Sequence, residues 1–201
     1  MLRIYGRMSS LNTQKVMLCV HELALAHVRI DAGRGFGVTD TPAFLAMNPN
    51  GLIPVIEDAG FVLWESNAII RYLAAQHAPA GLWPQDVKAR AQAESWMDWQ
   101  QCALMPAIHP HLHSLASEPA RFAPAQIEAA RIACESLIAM LDARLALCAY
   151  VGGETFSMAD CALLPPVHRW LNLPMVRASH PALEDWYRRC AARPAAIKAL
   201  P

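Results

Sequence analysis

Apolar residues in the first part of the chain switch between strand-like and helix-like spacing. A short apolar run over residues 2–5 ends at Gly6 and predicts a strand. Cap-type side chains follow, and apolar residues then recur at the spacing of one buried helix face: Val16, Cys19, Val20 and Leu23. Residues 27–31 predict a second strand, and Thr41-Pro42 opens a short helix that ends near Met47.

A hairpin pattern comes next. Residues 53–57 and 61–64 are short β-rich runs separated by Asp58-Ala59-Gly60. Glu65-Ser66-Asn67 then precede another helical pattern. The predicted order is β-α-β-α-β-β-α, and mixed strands with helical connections imply helices packed on a small sheet. We therefore expect an α/β domain over residues 1–78.

The rest of the chain has a helical texture. Residues 88–105 form an amphipathic pattern that Pro106 and Pro110 should stop or kink. A long helix is marked at heptad-like spacing by Ile127, Cys134, Leu137, Leu141, Leu145 and Cys148. Ser157-Met158-Ala159-Asp160 resembles a capping box at the start of a further helix. We expect a linker over 79–87, which carries Pro79, Gly81 and Pro84, and an all-helical domain over 88–201.

Composition narrows the function classes. The chain is 55% hydrophobic and 17% charged, which favours a folded core over disorder. Seventeen basic and seventeen acidic residues balance, so neither nucleic acid nor an anionic membrane is an expected partner. The start does not resemble a signal peptide, and no apolar run approaches the ~20 residues of a membrane helix. Six scattered cysteines without metal-ligand spacing suit a reducing compartment, so we expect a cytoplasmic protein.

Three short segments of the first domain could carry chemistry or merely cap helices. Residues 6–15 place serine and asparagine before a helix, where they satisfy free amides or hold an anion. In residues 48–54, Pro54 stands at a strand start; a cis Ile53–Pro54 bond would turn the Ile53 backbone outward toward an extended peptide ligand. Glu65-Ser66 could cap the next helix, or take the ammonium and carboxylate of a zwitterion.

Histidines 109 and 113 raise the question of a metal site. On a helix they would share one face at the i, i+4 spacing of metal ligands. Pro110 interrupts the run, and no carboxylate or cysteine follows closely. Pocket lining or a solvated helix end is favoured, and we expect no metal.

Together these segments resemble the cytosolic glutathione transferases over nearly the whole chain. The motifs that carry the resemblance are LRIYGRMSSLNTQKV (2–16), NPNGLIPVI (48–56), LWESNAIIRYL (63–73), SMAD (157–160) and LEDWYRRCAARP (183–194). The likeness is greatest to bacterial members related to the theta and nu classes. It implies a thioredoxin-like N-terminal domain, an all-α C-terminal domain, glutathione as co-substrate, and a homodimer.

The resemblance also implies residue roles. Ser10 matches a theta-type serine that donates a hydrogen bond to the glutathione sulfur, and Asn12 matches an asparagine near the sulfur in nu-type enzymes. Ile53, before a cis proline at Pro54, would pair through its backbone with the cysteinyl unit. The γ-glutamyl end would be held by Glu65 and Ser66.

Other roles follow from the resemblance with departures. Many relatives carry a lysine for the glycine carboxylate where this chain has Leu52, and Arg34 is the expected substitute. A carboxylate from the neighbouring subunit often assists binding; Glu94 is the best match and Asp98 the reserve. The second substrate, a small electrophile, would lie between the domains in an apolar pocket whose expected lining is Met8, Trp99, Met105 and His109.

Several activities stay open at this point. Residues 9–12 are Ser-Ser-Leu-Asn, so a mechanism that uses the protein's own cysteine at this helix start is disfavoured. A glutathione-dependent disulfide reductase or peroxidase, dehalogenation of a small haloacid, and a non-catalytic binding module remain alternatives to a transferase.

Overall fold

The computed structural model describes residues 1–77, 81–114 and 122–201, with the backbone alone over 111–114. These residues group into two compact units, Met1–Trp83 with Ala191–Pro201, and Pro84–Cys190. The C-terminal residues thus belong with the first unit, whereas the expected helical domain extends to residue 201. Residues 79 and 80 of the expected linker lie outside the described residues, and the domain boundaries stay a prediction.

A four-stranded mixed sheet forms the centre of the first unit. Its strands are β1 (Leu2–Tyr5), β2 (His27–Ile30), β3 (Val55–Asp58) and β4 (Phe61–Trp64). They lie in the order β2-β1-β3-β4. Strand β1 is parallel to β2 and antiparallel to β3, and β3 pairs with β4 as the predicted hairpin. Its loop, Ala59-Gly60, has positive φ at both residues (48° and 89°), as a tight hairpin turn of the primed type requires.

Helices cover this sheet. They are α1 (Leu11–Glu22), α2 (Pro42–Met47), α3 (Ser66–His77) and α9 (Pro194–Ala199), with a 3₁₀ turn at Arg34–Phe36. Helix α1 packs against both α3 and α9. It was expected to bury one face, but every residue from Thr13 to Val20 is buried, and Leu23 is a half-buried C-cap instead of a core residue.

Side chains of the sheet alternate between two cores because successive strand residues point to opposite faces. Val55 packs with Phe44 of α2 and Ala32 in one buried cluster. Ile56, the next residue, pairs with Ile4 of β1, and both are fully buried. At the end of β1, a Cβ atom on Gly6 would come within 2.5 Å of Thr13 Oγ1, so only glycine lets the strand pass this close to α1.

The second unit is built from helices α4 (Val87–Trp99), α5 (Met105–Ser114), α6 (Pro124–Leu145), α7 (Met158–Leu171) and α8 (Pro181–Ala191). The described residues beyond 84 form no strand, and their β-type pairing is limited to an isolated bridge between Tyr150 and Gly153. The four-stranded sheet with its helices, followed by a helical second part, confirms the predicted fold class.

The structure refines two helix predictions. Pro106 and Pro110 were expected to stop or kink the amphipathic helix, and they do not stop it: a π-helical turn (Gln100–Leu104) joins α4 to α5, and Pro110 lies inside α5. The Met105 amide donates to the Gln100 carbonyl, five residues back, which is the hydrogen bond of a π-helix. Pro106 comes directly after this bond. In α6 the buried residues include Cys134, Ile138, Leu141 and Leu145, so Ile138, not Leu137, completes the stripe.

The capping box predicted at the start of α7 is present and extends further than its sequence pattern. Asp160, fully buried, accepts hydrogen bonds from the Ser157 amide at 2.9 Å and hydroxyl at 3.2 Å. Its other oxygen accepts from the Val151 amide at 3.0 Å and from Trp186 Nε1 at 2.8 Å. One carboxylate therefore ties the start of α7 to the preceding loop and to α8. In the described part of the chain, no helix is long and apolar enough to cross a membrane.

We expect the substitution Asp160→Asn to lower the free energy of unfolding by about 1–3 kcal/mol, because an amide nitrogen would face at least one buried donor. Asp185→Asn is the control: Asp185 is exposed and pairs with Arg188 across one helical turn, so its loss should change stability by less than about 0.5 kcal/mol. Chemical denaturation measures both. Equal effects of the two substitutions would show that the buried network does not stabilise the fold.

Candidate functional site

Four loop segments meet at one edge of the sheet because of strand register. Tyr5, the last residue of β1, pairs with Ile30 at the end of β2 and with Val55 at the start of β3. Val55 in turn pairs with Trp64 at the end of β4. The segments beyond this row, 6–12, 31–37, 53–54 and 65–66, therefore emerge side by side. They contain every candidate residue that the sequence placed in the first unit.

Ser10 is the N-cap of α1. Its backbone is extended, and its hydroxyl oxygen accepts from the Thr13 amide over a long 3.5 Å. A serine hydroxyl has one hydrogen to donate and two lone pairs. Capping uses a lone pair only, so the hydrogen stays available for an anion in front of the helix. The two interpretations of this serine, cap and anion donor, are compatible.

Asn12 and Ser66 are brought into contact from distant parts of the sequence. The buried Ser66 hydroxyl donates to Asn12 Oδ1 at 3.3 Å, joining the first turns of α1 and α3. Lys15 Nζ donates to the same oxygen at 3.4 Å. Asn12 itself is half-buried and lies in the segment 6–12 that leaves the sheet at this edge.

Lys15 is a residue that the sequence reasoning missed. It is fully buried, and burial lowers the pKa of its ammonium to about 7, with Glu65 opposing the shift and Arg71 adding to it. Lysine is almost never fully buried without a charged or polar partner. The signal was present in the sequence: Leu11, Lys15 and Cys19 share one helix face at i, i+4, i+8, so a cation interrupts an apolar stripe.

The bond between Ile53 and Pro54 is cis, the geometry that the sequence analysis tied to peptide binding. The sheet pairing of β3 begins only with Val55, so the Ile53 backbone lies outside the ladder. The preceding loop is braced by Asn48, whose side chain donates to the Leu52 carbonyl at 2.8 Å and accepts from the Asn50 amide at 3.1 Å.

Glu65 occupies a conformation unusual for a residue with a side chain. Its φ is +70°, in the left-handed region, and its side chain is exposed. Such backbone conformations cost of order 1–3 kcal/mol and cluster at functional sites. The Glu65 carbonyl accepts the Ile69 amide at 2.9 Å, so the residue opens α3 and presents its carboxylate at the helix start.

Arg7 and Arg34 form a second feature that sequence reasoning saw only in part. The pKa of Arg7 is lowered by burial and then by the like charge of Arg34. Arg7 Nε is buried and has no hydrogen-bond partner among the described residues. Gly33 has φ +81°, and a Cβ there would be 2.9 Å from Arg7 Nη1 and 3.3 Å from Ile53, so glycine makes room for the guanidinium. Two cations beside an unpartnered N–H group favour a bound anion.

The remaining candidates belong to the second unit, apart from Met8, a half-buried residue of the first. Trp99 at the end of α4 is half-buried and packs edge-on against Trp96 at 5.0 Å between ring centroids. Met105 is half-buried and His109 is exposed, both on α5. Glu94 is half-buried and Asp98 exposed on α4. Their assigned roles stay predictions.

A metal site finds no support in the described residues. Among the side chains that the structure describes, those of residues 1–77, 81–110 and 122–201, no three of His, Cys, Asp or Glu gather as metal ligands. His109 stacks edge-on with Phe122 at 6.3 Å. The side chain of His113, the other half of the spacing noted in the sequence, lies outside the described residues.

Comparisons with known proteins agree on one family. A family model for the N-terminal domain of glutathione S-transferases matches residues 9–76, and one for their C-terminal domain matches residues 124–189. Glutathione S-transferase GstB of Escherichia coli (strain K12) is 40% identical, with all of this chain and 98% of that protein aligned. The disulfide-bond oxidoreductase YfcG of the same strain is 32% identical over 94% of this chain and 90% of its own length.

Solved structures give the same result. The theta class glutathione S-transferase of the citrus canker pathogen Xanthomonas axonopodis pv. citri, crystallised with glutathione bound, superposes with a TM-score of 0.94. The two chains are 39% identical, and the match covers 99% of this chain and 96% of that one. A glutathione S-transferase of Pseudomonas fluorescens [Pf-5] follows with a TM-score of 0.88 and 28% identity, over 100% and 99% of the chains.

Proposed function

Since the chain belongs to the glutathione S-transferase family, we propose that it activates the thiol of bound glutathione as a thiolate, which attacks a small hydrophobic electrophile. The main support is the meeting of four segments at one sheet edge, with Ser10, Asn12, Ile53, Glu65 and Ser66 among them. Glutathione is a tripeptide with a thiol at its middle and charged groups at both ends. The site offers the hydroxyl and amide donors of Ser10 and Asn12 for the thiol, and the Glu65 carboxylate and the guanidinium groups of Arg7 and Arg34 for the charged ends.

The start of α1 is sufficient to stabilise a thiolate. A free thiol has a pKa near 8.5, and lowering it by about two units requires ~2.7 kcal/mol. One hydrogen bond to a charged acceptor contributes roughly 1.5–3 kcal/mol. The helix N-terminus adds about 0.3–1 kcal/mol. The hydroxyl of Ser10 and the amide of Asn12 supply two donors, so the thiol proton can leave to water without a general base.

The two ends of glutathione are held by opposite charges. Glu65 takes the γ-glutamyl ammonium. The neighbouring carboxylate is taken by the backbone amide of Ser66 with the other first amides of α3, since the Ser66 hydroxyl donates its hydrogen to Asn12. The Ile53 backbone, before the cis Pro54, pairs with the cysteinyl unit. The glycine carboxylate binds Arg7 together with Arg34, since Leu52 offers no charge.

The electrophile and the oligomeric state complete the proposal. Met8, Trp99, Met105 and His109 line the apolar pocket for the electrophile, and the chain works as a homodimer in which Glu94, or Asp98 in reserve, assists glutathione on the neighbouring subunit. Residues 1–78 bind glutathione, and residues 88–201, after the linker, contribute the electrophile pocket. Light scattering tests the dimer.

Reduction of disulfides is a second candidate. It is favoured by the 32% identity to a protein named as a disulfide-bond oxidoreductase. The same thiolate would attack one sulfur of a disulfide, form a mixed disulfide and release the other sulfur as a thiolate. Cys19 is fully buried within α1, and no cysteine stands at residues 9–12, so this reaction would use glutathione thiols alone.

Assays of aryl halides, haloacetates, organic peroxides and mixed disulfides, all with glutathione, separate these activities. We expect aryl halide conjugation to exceed disulfide reduction. The reverse order would assign the chain to disulfide reduction. If calorimetry shows no binding of glutathione at millimolar concentration, the chain would be the non-catalytic binding module.

Replacing Ser10 and Asn12 together by alanine should lower kcat for conjugation by about 10–150-fold or more, the value of at least one hydrogen bond to a charged sulfur. The dissociation constant of glutathione should change by less than about threefold, because the ends of the tripeptide keep their partners. Initial rates and calorimetry measure the two quantities.

Ser9→Ala is the matched control, because Ser9 is exposed and next to the N-cap without being one. Its kinetic constants should equal those of the unchanged protein. Loss of the Ser10 cap should cost about 0.5–1 kcal/mol, too little to unfold the variant. Undiminished turnover in the double variant would overturn the thiolate mechanism.

Arg7→Met should raise the dissociation constant of glutathione about tenfold, because it removes one of two cations for the glycine carboxylate. Glutathione esterified at glycine should bind the variant and the unchanged protein alike. Arg3→Met is the control: Arg3 is exposed on β1, outside the four loop segments, and pairs with Glu57 at 3.5 Å. If the ester is weakened as much as glutathione, Arg7 supports the fold instead of the carboxylate.

A further inference from the structure

The buried ammonium of Lys15 has no part in the mechanism described so far. It lies in the second turn of α1, fully buried, and donates to Asn12 Oδ1 at 3.4 Å. Asn12 is three residues earlier, so the two side chains lie on one face of the helix. The contact connects a cation in the protein interior with an amide at the sheet edge.

Lys15 decides which end of the Asn12 amide faces the site. An ammonium can only donate hydrogen bonds, so the group turned toward it must be the oxygen. Ser66 Oγ, on α3, donates to that same oxygen at 3.3 Å. With its oxygen held from two sides, Asn12 must direct Nδ2, the donor end, elsewhere.

The two charges that shift the pKa of Lys15 both belong to α3 and its N-cap. Glu65, which opens α3, attracts the ammonium, and Arg71 on α3 repels it; burial acts most strongly of all, against the charge. Lys198 of α9, which also packs on α1, acts on His21 instead of Lys15. Burial therefore favours the neutral amine of Lys15, and Glu65 favours the ammonium. A further negative charge nearby would also favour the ammonium.

We propose that Lys15 is a positioning residue of the thiolate site: its ammonium locks the Asn12 side chain with Nδ2 directed at the glutathione sulfur. This inference rests on the proposed function, in which Asn12 contacts the sulfur. Lys15 does not touch the substrate and acts through Asn12. A neutral amine can also accept a hydrogen bond, so loss of the Lys15 proton would release the amide.

Lys15→Met tests this role, since methionine is close in volume and apolar. The pKa of enzyme-bound glutathione, followed by thiolate absorbance, should rise by about one unit, a tenfold loss in the ratio of thiolate to thiol. The dissociation constant of glutathione at low pH, where the thiol is protonated, should stay within about threefold. Lys15→Arg, which keeps a cation that can only donate, should restore most of the shift.

A double-mutant cycle with Asn12→Ala separates positioning from a general effect of charge. If Lys15 acts through Asn12, Lys15→Met should add little to the thiol pKa once Asn12 is alanine. Equal shifts in both backgrounds would overturn the positioning role. The cycle decides the question even if arginine does not fit the buried space.

The outcomes also separate this inference from the proposed function. A bound thiol pKa near 8.5 in the unchanged protein would contradict the thiolate mechanism itself. A lowered pKa that Asn12→Ala raises and Lys15→Met leaves unchanged would overturn only the role of Lys15. A merely structural lysine would alter the unfolding midpoint without moving the thiol pKa.

Discussion

One row of paired residues across the sheet, Ile30–Tyr5–Val55–Trp64, sets the geometry of the whole site. Strands β1, β2 and β4 end at this row, and β3 begins there. Four loops therefore leave the sheet at the same edge. A slip of one residue in any pair would turn every side chain of that strand to the other face. It would move Ile56 out of its pairing with Ile4, both fully buried, so the core holds the register that the site needs.

The groups at this edge are held by the same contacts that begin the helices. Ser10 caps α1 with a lone pair and keeps its hydrogen, and Ser66 starts α3 while donating to Asn12. Helix starts carry unpaired amides and a partial positive charge, so the structural need for a cap and the binding of an anion call for the same residue types. This overlap explains why serine and asparagine before a helix did not distinguish a cap from a site in the sequence.

Local patterns predicted much of the fold, and non-local packing decided the rest. The strands at 2–5 and 61–64, the hairpin and the capping box at Ser157 were predicted because each depends on neighbours in sequence. The burial of Lys15 was missed because it depends on α3 packing on α1. The position of Arg7 was missed because it depends on the space left by Gly33. In α6, Leu137 and Ile138 stand three and four residues after Cys134, and both spacings fit one helix face, so the pattern alone did not show that Ile138 is the buried one.

Lys15 shows that the demands of stability and chemistry oppose each other at the start of α1. Burial lowers the pKa of Lys15 to about 7, far below its value in an unfolded chain. Below pH 7 both states carry the charge, and the folded state bears the cost of burying it. Between pH 7 and about 10 the folded protein releases a proton that the unfolded chain keeps, so the free energy of unfolding rises with pH. The neutral amine is thus better for the fold, whereas the proposed positioning of the Asn12 amide requires the ammonium. In that proposal, a thiolate bound at Asn12 adds negative charge that raises the pKa of Lys15, so ligand ionisation and the proton that orients its donor reinforce each other.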